Sequence, residues 1–215
     1  MIKSNLTTMQ FQTLKGFRDF LPIEARKRAW LKQRMINVFE KWGYEPMETP
    51  TLEPLELFTG VIGEDEKLFF SFVDQGGRNV ALRYDQTVPT VRAIGENFDK
   101  LTFPLRRYQI QSAYRAEKPQ KGRYREFVQS DIDIFGIASP LADAEIIAVT
   151  LDLYKSLGFT NAVALVNSRT LMADLPYEAI VAIDKLKKIG EEAVVETMVN
   201  KGIEKNQAQK YLDQV

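Results

Sequence analysis

The chain has 215 residues with 29 Lys+Arg against 29 Asp+Glu and no net charge, so a bulk-polycation attraction to nucleic acid or anionic membrane is excluded. Hydrophobic residues make up 45% and charged residues 27%, the balance of a packed globular chain with one domain and a small appendage. Cysteine and histidine are both absent, which removes disulfides, Cys/His zinc sites, Ser-His-Asp and Cys-His nucleophiles and any imidazole general base. Carboxylates, Arg, Lys, hydroxyls, backbone and a substrate's own groups are left to do any chemistry. No apolar stretch approaches the roughly 18 residues of a membrane span, and the first residues lack the layout of a signal peptide, so a cytoplasmic protein with no membrane partner is expected.

The first periodic segment covers residues 24–42, where Leu31, Met35, Val38, Phe39 and Trp42 recur at helical spacing between Pro22 and Gly43. Residues 44–51, punctuated by Pro46 and Pro50, read as an extended piece suited to a sheet edge or a subunit contact. Residues 68–74 and 79–83 flank Gln75-Gly76-Gly77-Arg78 as a hairpin. Thr87 then caps a helix over residues 88–97, which puts 83–87 at a strand-to-helix junction.

Residues 105–117 and 126–135 read as two strands whose faces sort at period two. On the first, Arg107, Gln109, Gln111, Ala113, Arg115 and Glu117 oppose Tyr108, Ile110, Ser112 and Tyr114; on the second, Gln129, Asp131 and Asp133 oppose Val128, Ile132 and Ile134. The expectation is a half-covered antiparallel sheet. The connection 118–125 carries four positive charges and no negative one, with Gly122 at its tip, and reads as a mobile, exposed hairpin. Ser139-Pro140 opens another helix that Gly158 stops, and residues 162–167 read as a buried strand. Short helices over 178–189, 191–200 and 206–215 follow a boundary near 171–176.

Two readings of the strand pair stand open on the residues alone. Arg115 beside a flexible basic loop is suited to a phosphate or carboxylate, and the nearby carboxylates and amides to a donor-rich ligand such as an ammonium, an adenine edge or an imidazole. Equally, the same residues form cross-strand ion pairs such as Arg115 with Asp131, exposed and weak.

Residues 114–127, Tyr-Arg-Ala-Glu-Lys-Pro-Gln-Lys-Gly-Arg-Tyr-Arg-Glu-Phe, resemble motif 2 of the class II aminoacyl-tRNA synthetases, with Arg123, Phe127 and Asp131 at the motif's spacing. The loop wording is similar to that of histidyl-tRNA synthetases in particular. Leu82-Arg83-Tyr84-Asp85-Gln86-Thr87-Val88-Pro89 resembles that family's histidine-binding stretch, Gly16-Phe17-Arg18-Asp19-Phe20-Leu21-Pro22 its amino-terminal opening, and the helix with Gly43-Tyr44 and Pro50 its motif 1 dimer element. The match covers roughly residues 14–170.

The resemblance implies an α+β, class II synthetase-like fold with a mainly antiparallel sheet flanked by helices and a small helical segment after it. It implies a histidine–tRNA ligase that activates histidine with ATP and charges tRNA(His). Asp85, Gln86, Thr87, Arg115, Gln129 and Asp133 are expected at histidine, with Asp133 on the imidazole. At ATP, Arg115 is expected on the α-phosphate as the catalytic residue, Glu117 on the adenine amino group, Phe127 stacked on the ring and Arg123 on the outer phosphates. Gln120 and Arg125 are expected at the tRNA acceptor end, Mg2+ arrives with ATP, and a homodimer forms through residues 43–57 and the helix before them. The alternative is a synthetase-like, histidine-binding regulatory subunit of the ATP phosphoribosyltransferase of histidine biosynthesis. The family's motif 3 and anticodon-binding domain have no counterpart in these 215 residues, so the expected organisation is an incomplete catalytic core over 1–172 and the start of a helical insertion over 173–215, inactive alone.

Overall fold

The computed structural model describes residues 12–60, 68–166 and 174–213. The chain divides into two units, Met1–Val163 and Ala164–Val215, each with its own apolar core. The division falls a few residues before the boundary read from the sequence.

In the first unit, helix α1 (Pro22–Lys41) begins with Pro22, carries Glu24 in its first turn and Lys41 in its last, and so complements its own dipole. Gly43 stops it at a φ of 80°, a backbone region that side chains other than glycine's resist. Val38 and Phe39 are buried against Tyr44, Tyr108, Ile110 and Val149. Leu31, expected in the buried stripe, stays 37% exposed. Only the final turns of the helix meet that core.

Two three-stranded sheets follow. The first has the order β1-β5-β6, from β1 (Glu45–Pro46), β5 (Leu105–Tyr114) and β6 (Glu126–Phe135). β1 is parallel to β5, and β5 pairs with β6 antiparallel over their whole lengths, from Leu105 opposite Phe135 to Tyr114 opposite Glu126. The second sheet, β2-β4-β3, is antiparallel throughout and built from β2 (Leu52–Pro54), β3 (Ser71–Val73) and β4 (Asn79–Leu82). The expected hairpin is there: the Asp74 carboxylate accepts the N–H groups of Gly76 and Arg78, both at 2.9 Å, and so shapes the turn.

Helix α2 (Thr87–Glu96) starts one residue earlier than expected, and Thr87 is not its cap: Asp85 accepts the Val88 N–H at 3.3 Å. Helix α3 (Pro140–Ser156) is capped by the Ser139 hydroxyl, which accepts the Leu141 N–H at 3.2 Å. Arg106 grips Glu145 through two hydrogen bonds of 2.6 and 2.9 Å, and the Trp42 indole donates to Asp152 at 2.9 Å, so α3 is fastened to both β5 and the end of α1.

Two expectations are corrected. The sheet is not half-covered, because α2 lies on the polar side and leaves Arg107 and Gln109 each only 1% exposed. Residues 162–166 form no strand: Val163, Leu165 and Val166 are more than two-thirds exposed, and no described strand offers them a ladder. Asn167 lies outside the described residues.

The second unit is helical, with α4 (Tyr177–Ile183), α5 (Leu186–Ile189), α6 (Glu191–Asn200) and α7 (Lys205–Leu212). The single helix expected over 178–189 breaks at Asp184-Lys185, where the Lys185 N–H bonds three residues back to Ala182 and tightens the turn. Ala179, Ala182, Val194, Met198 and Ala208 have no exposed surface, and Leu175, Ile183, Val195 and Leu212 close the core around them. Val215, expected in the last helix, lies outside the described residues. No helix among the described residues is long and apolar enough to cross a membrane.

Candidate functional site

Period two puts Arg107, Gln109, Gln111 and Ala113 of β5 on the same face as their cross-strand partners Asp133, Asp131, Gln129 and Phe127 of β6. Hydrogen bonds tie the β5 half of this face into one chain. Arg83 donates to Gln111 Oε1 at 2.8 Å; Gln109 donates to the same oxygen at 2.6 Å; Arg107 donates to Gln109 Oε1 at 3.0 Å. Arg107 then ion-pairs with Asp133. Thr90 of α2 donates to Gln109 at 3.0 Å, and Gln109 donates to Thr49 at 2.9 Å, so the network is roofed as well as linked. Arg107 was read as part of a polar face and Arg83 as part of the strand-to-helix junction; both are buried struts. Burial pulls both guanidinium pKa values down, and for Arg107 the nearby Asp133 and Asp131 oppose that pull.

The strand-to-helix junction meets this face. Gln86 has no exposed surface, and its amide donates to the backbone carbonyls of Gln111 at 2.9 Å and Gln129 at 3.0 Å. It was expected at the ligand; its amide nitrogen braces two strands, and its Oε1 is buried with no donor among the described residues. Asp85, one residue earlier, is half-buried and close enough to Asp131 to raise that carboxyl's pKa. Thr87 is exposed at the rim. Burial is the largest cause of the upward shift at Asp131, the hydrogen bond from Gln129 and the charge of Arg107 oppose it, and Asp133 and Asp85 add to it. Gln129, Asp131 and Asp133 thereby share one strand face, with Asp85 near Asp131. Gln129 donates to Asp131 at 3.0 Å, while its Oε1 is shut from solvent with no donor among the described residues. A buried acceptor beside Asp131, on a face that also carries Asp133, is chemically fitted to a ligand that brings N–H groups and positive charge.

Arg115 lies by Phe127, at the end of the face away from Asp133. Its guanidinium lies 4.4 Å from the centre of the Tyr84 ring and 5.0 Å from that of Phe127, and donates to the Tyr84 carbonyl at 3.4 Å. Among the described residues no carboxylate pairs with it, so the cross-strand bond from Arg115 to Asp131 does not form; Arg107 and Asp133 make the ion pair of this face. A guanidinium held against two rings, with no carboxylate partner among the described residues, is suited to receive an anion. Tyr84, which supplies one of those rings, was not among the expected site residues; its place directly before Asp85 was the available signal.

The 115–125 connection closes on a tight turn at residues 120–123. Gln120 and Arg123 exchange backbone hydrogen bonds of 3.1 and 2.9 Å around Lys121-Gly122, and Gly122 takes a φ of 81°. Lys118, Gln120, Lys121 and Arg123 are exposed as expected. Arg123 ion-pairs with Glu117 at 3.0 Å. Arg125, expected at the tRNA acceptor end, donates to the carbonyls of Glu117 at 3.0 Å and Lys15 at 3.3 Å. Among the described residues no group of three or more acidic side chains is arranged to hold a metal ion.

Residues 16–210 match the family model described as histidyl-tRNA synthetase. The histidine–tRNA ligase of Rhodopirellula baltica is 42% identical over 202 residues, covering 89% of this chain and 46% of the relative. That of Aeropyrum pernix is 44% identical over 192 residues, covering 84% of this chain and 44% of the relative. The crystal structure of histidyl-tRNA synthetase from Nostoc sp. PCC 7120 superposes with a TM-score of 0.75 at 30% identity, over 96% of this chain and 48% of that one. A structure from Bacillus halodurans named as an ATP phosphoribosyltransferase regulatory subunit/histidyl-tRNA synthetase has a TM-score of 0.76 over 96% of this chain and 55% of that one; at 23% identity the likeness is one of fold. The chain spans about half the length of the curated relatives it matches. With the α+β architecture and the motif 2 hairpin in place, the chain belongs to the histidyl-tRNA synthetase family.

Proposed function

We propose that this chain carries the histidine- and ATP-binding part of a histidine–tRNA ligase, which joins histidine to ATP as histidyl-adenylate and passes it to tRNA(His). The observation that carries the reading is one face of the β5–β6 pair on which Gln129, Asp131 and Asp133 stand with Asp85 near Asp131, and beside whose end lies Arg115, which has no carboxylate partner among the described residues. Asp85, Thr87 and Gln129 receive the α-ammonium, which supplies the donor that Gln129 Oε1 lacks. Asp133, oriented by Arg107, receives the imidazole. Gln86 enters as the brace that holds Asp85 beside Gln129.

In this reading the histidine carboxylate attacks the α-phosphorus and pyrophosphate leaves, so no side-chain nucleophile is needed and a chain without Cys or His suffices. Arg115 meets the α-phosphate, Phe127 stacks on adenine, Glu117 accepts from its amino group and Arg123 meets the outer phosphates. Magnesium comes with ATP and supplies further positive charge there. The exposed Gln120 faces the tRNA acceptor end. Residues 1–172 make up the class II core with motifs 1 and 2, 173–215 begin a helical insertion, and the reaction belongs in the cytoplasm.

Titration calorimetry tests this. The expected result is histidine binding that D85N or Q129A abolishes, and MgATP binding that R115A weakens by about 10²-fold or more, the loss expected for a removed charge donor. A regulatory subunit would bind histidine and ignore ATP. Absence of histidine binding by the wild-type chain sinks both readings.

A further inference from the structure

The loop between β5 and β6 is not held by its own ladder. The Arg115 N–H donates to the Arg125 carbonyl at 2.8 Å, but the Arg125 N–H turns outward and donates to the Gly16 carbonyl at 2.9 Å. The Arg125 side chain repeats the pattern, with Nε on the Glu117 carbonyl at 3.0 Å and Nη1 on the Lys15 carbonyl at 3.3 Å. One residue thus links both limbs of the loop to residues 15 and 16. Arg18 adds a second hold, its guanidinium 3.2 Å from the centre of the Tyr124 ring.

Gly16 is the residue that permits this approach. Its φ is 93°, and a Cβ there would stand 2.8 Å from Arg125 Cγ and 3.0 Å from Pro119 Cγ. Behind it, the Phe17 ring packs on Phe70 with centres 5.8 Å apart. On the far limb, the Ala116 N–H donates to the Leu68 carbonyl at 2.8 Å. The segment is therefore seated on the protein body and not merely draped over the loop.

We propose that residues 15–20 form a strap that fixes the loop carrying Glu117 and Arg123 at the spacing a nucleotide requires, and that Arg125 is its positioning residue. The proposal rests on the nucleotide reading of that loop. It assigns Arg125 to backbone carbonyls in place of RNA phosphate, and the two roles differ in what they ask of the side chain. A phosphate contact tolerates lysine, whereas two carbonyls reached from separate nitrogens need the planar fork.

The test compares the wild-type chain with G16A, R18A and R125K. Amide exchange at residues 123 and 125 reports the loop, exchange at Ile110 and Ile132 reports the folded sheet, and calorimetry reports MgATP and histidine. We expect G16A and R125K to speed exchange at 123 and 125 and to weaken MgATP about tenfold, the loss of roughly one charged hydrogen bond, with R18A intermediate and histidine affinity unchanged. If G16A disturbs the sheet amides, R125K and R18A carry the comparison. Loop exchange that none of the variants alters overturns the strap. A loosened loop with wild-type MgATP affinity overturns its role in nucleotide binding and leaves the nucleotide reading standing. A wild-type chain that binds no MgATP removes the nucleotide reading, and the proposal with it.

Discussion

Asp131 illustrates how one side chain registers its surroundings. Asp133 and Asp85 are nearby, and burial with those like charges lifts its pKa against the opposing pull of Gln129 and Arg107. A carboxyl raised above its unfolded value of about 3.9 keeps its proton longer in the folded state than in the unfolded one. Folding stability is then undiminished below about pH 4 and declines as pH rises through the folded pKa. D131N, which keeps an acceptor for Gln129, is expected to be more stable than wild type at pH 7 and no more stable at pH 3.5. Urea unfolding at the two pH values measures it, and identical pH dependence in both proteins would contradict the burial argument. The same logic couples ligand to proton: a bound cation relieves the crowding of negative charge, so its uptake from weakly acidic solution releases protons.

At the scale of elements, the cap of α3 carries a clean expectation. The Ser139 hydroxyl accepts the Leu141 N–H, and S139A should cost about 1 kcal/mol, seen as a lower urea midpoint with an unchanged slope. That cap was legible in the sequence, as was the β3–β4 hairpin, because a capping serine and a Gly-Gly turn act through neighbours a few residues away. The facing of β5 and β6 was legible too, since alternation alone sorts Gln129, Asp131 and Asp133 to one side. What lies over that side was not. Arg107 reads as a surface cation until Thr90 and Thr49, each far away in sequence, close over Gln109. Arg125 reads as a free charge at a loop tip because nothing local reveals that carbonyls from residues 15 and 16 reach it. The apolar run at 162–166 reads as buried because period and composition cannot say whether a partner strand stands beside it.

For the molecule as a whole, residues 43–57 supply a terminal strand to each sheet, β1 to one and β2 to the other. Pro46 and Pro54 lie in these edge strands, where a missing ladder donor is tolerated. Leu52 of β2 is 40% exposed, and the proposed two-fold contact runs through this segment. L52E is expected to shift sedimentation from dimer to monomer; a wild-type chain that already sediments as a monomer would count against the contact. The Gln86 amide has a consequence for how a ligand is received. By bonding to carbonyls on both β5 and β6, it bolts the start of α2 to the strands, so Asp85 and Gln129 cannot separate without breaking two hydrogen bonds in a sealed place. A molecule entering between them meets walls that have already surrendered their freedom to the fold. Its capture there draws little on conformational entropy, and selectivity at that end of the cleft rests on fit to a rigid gauge.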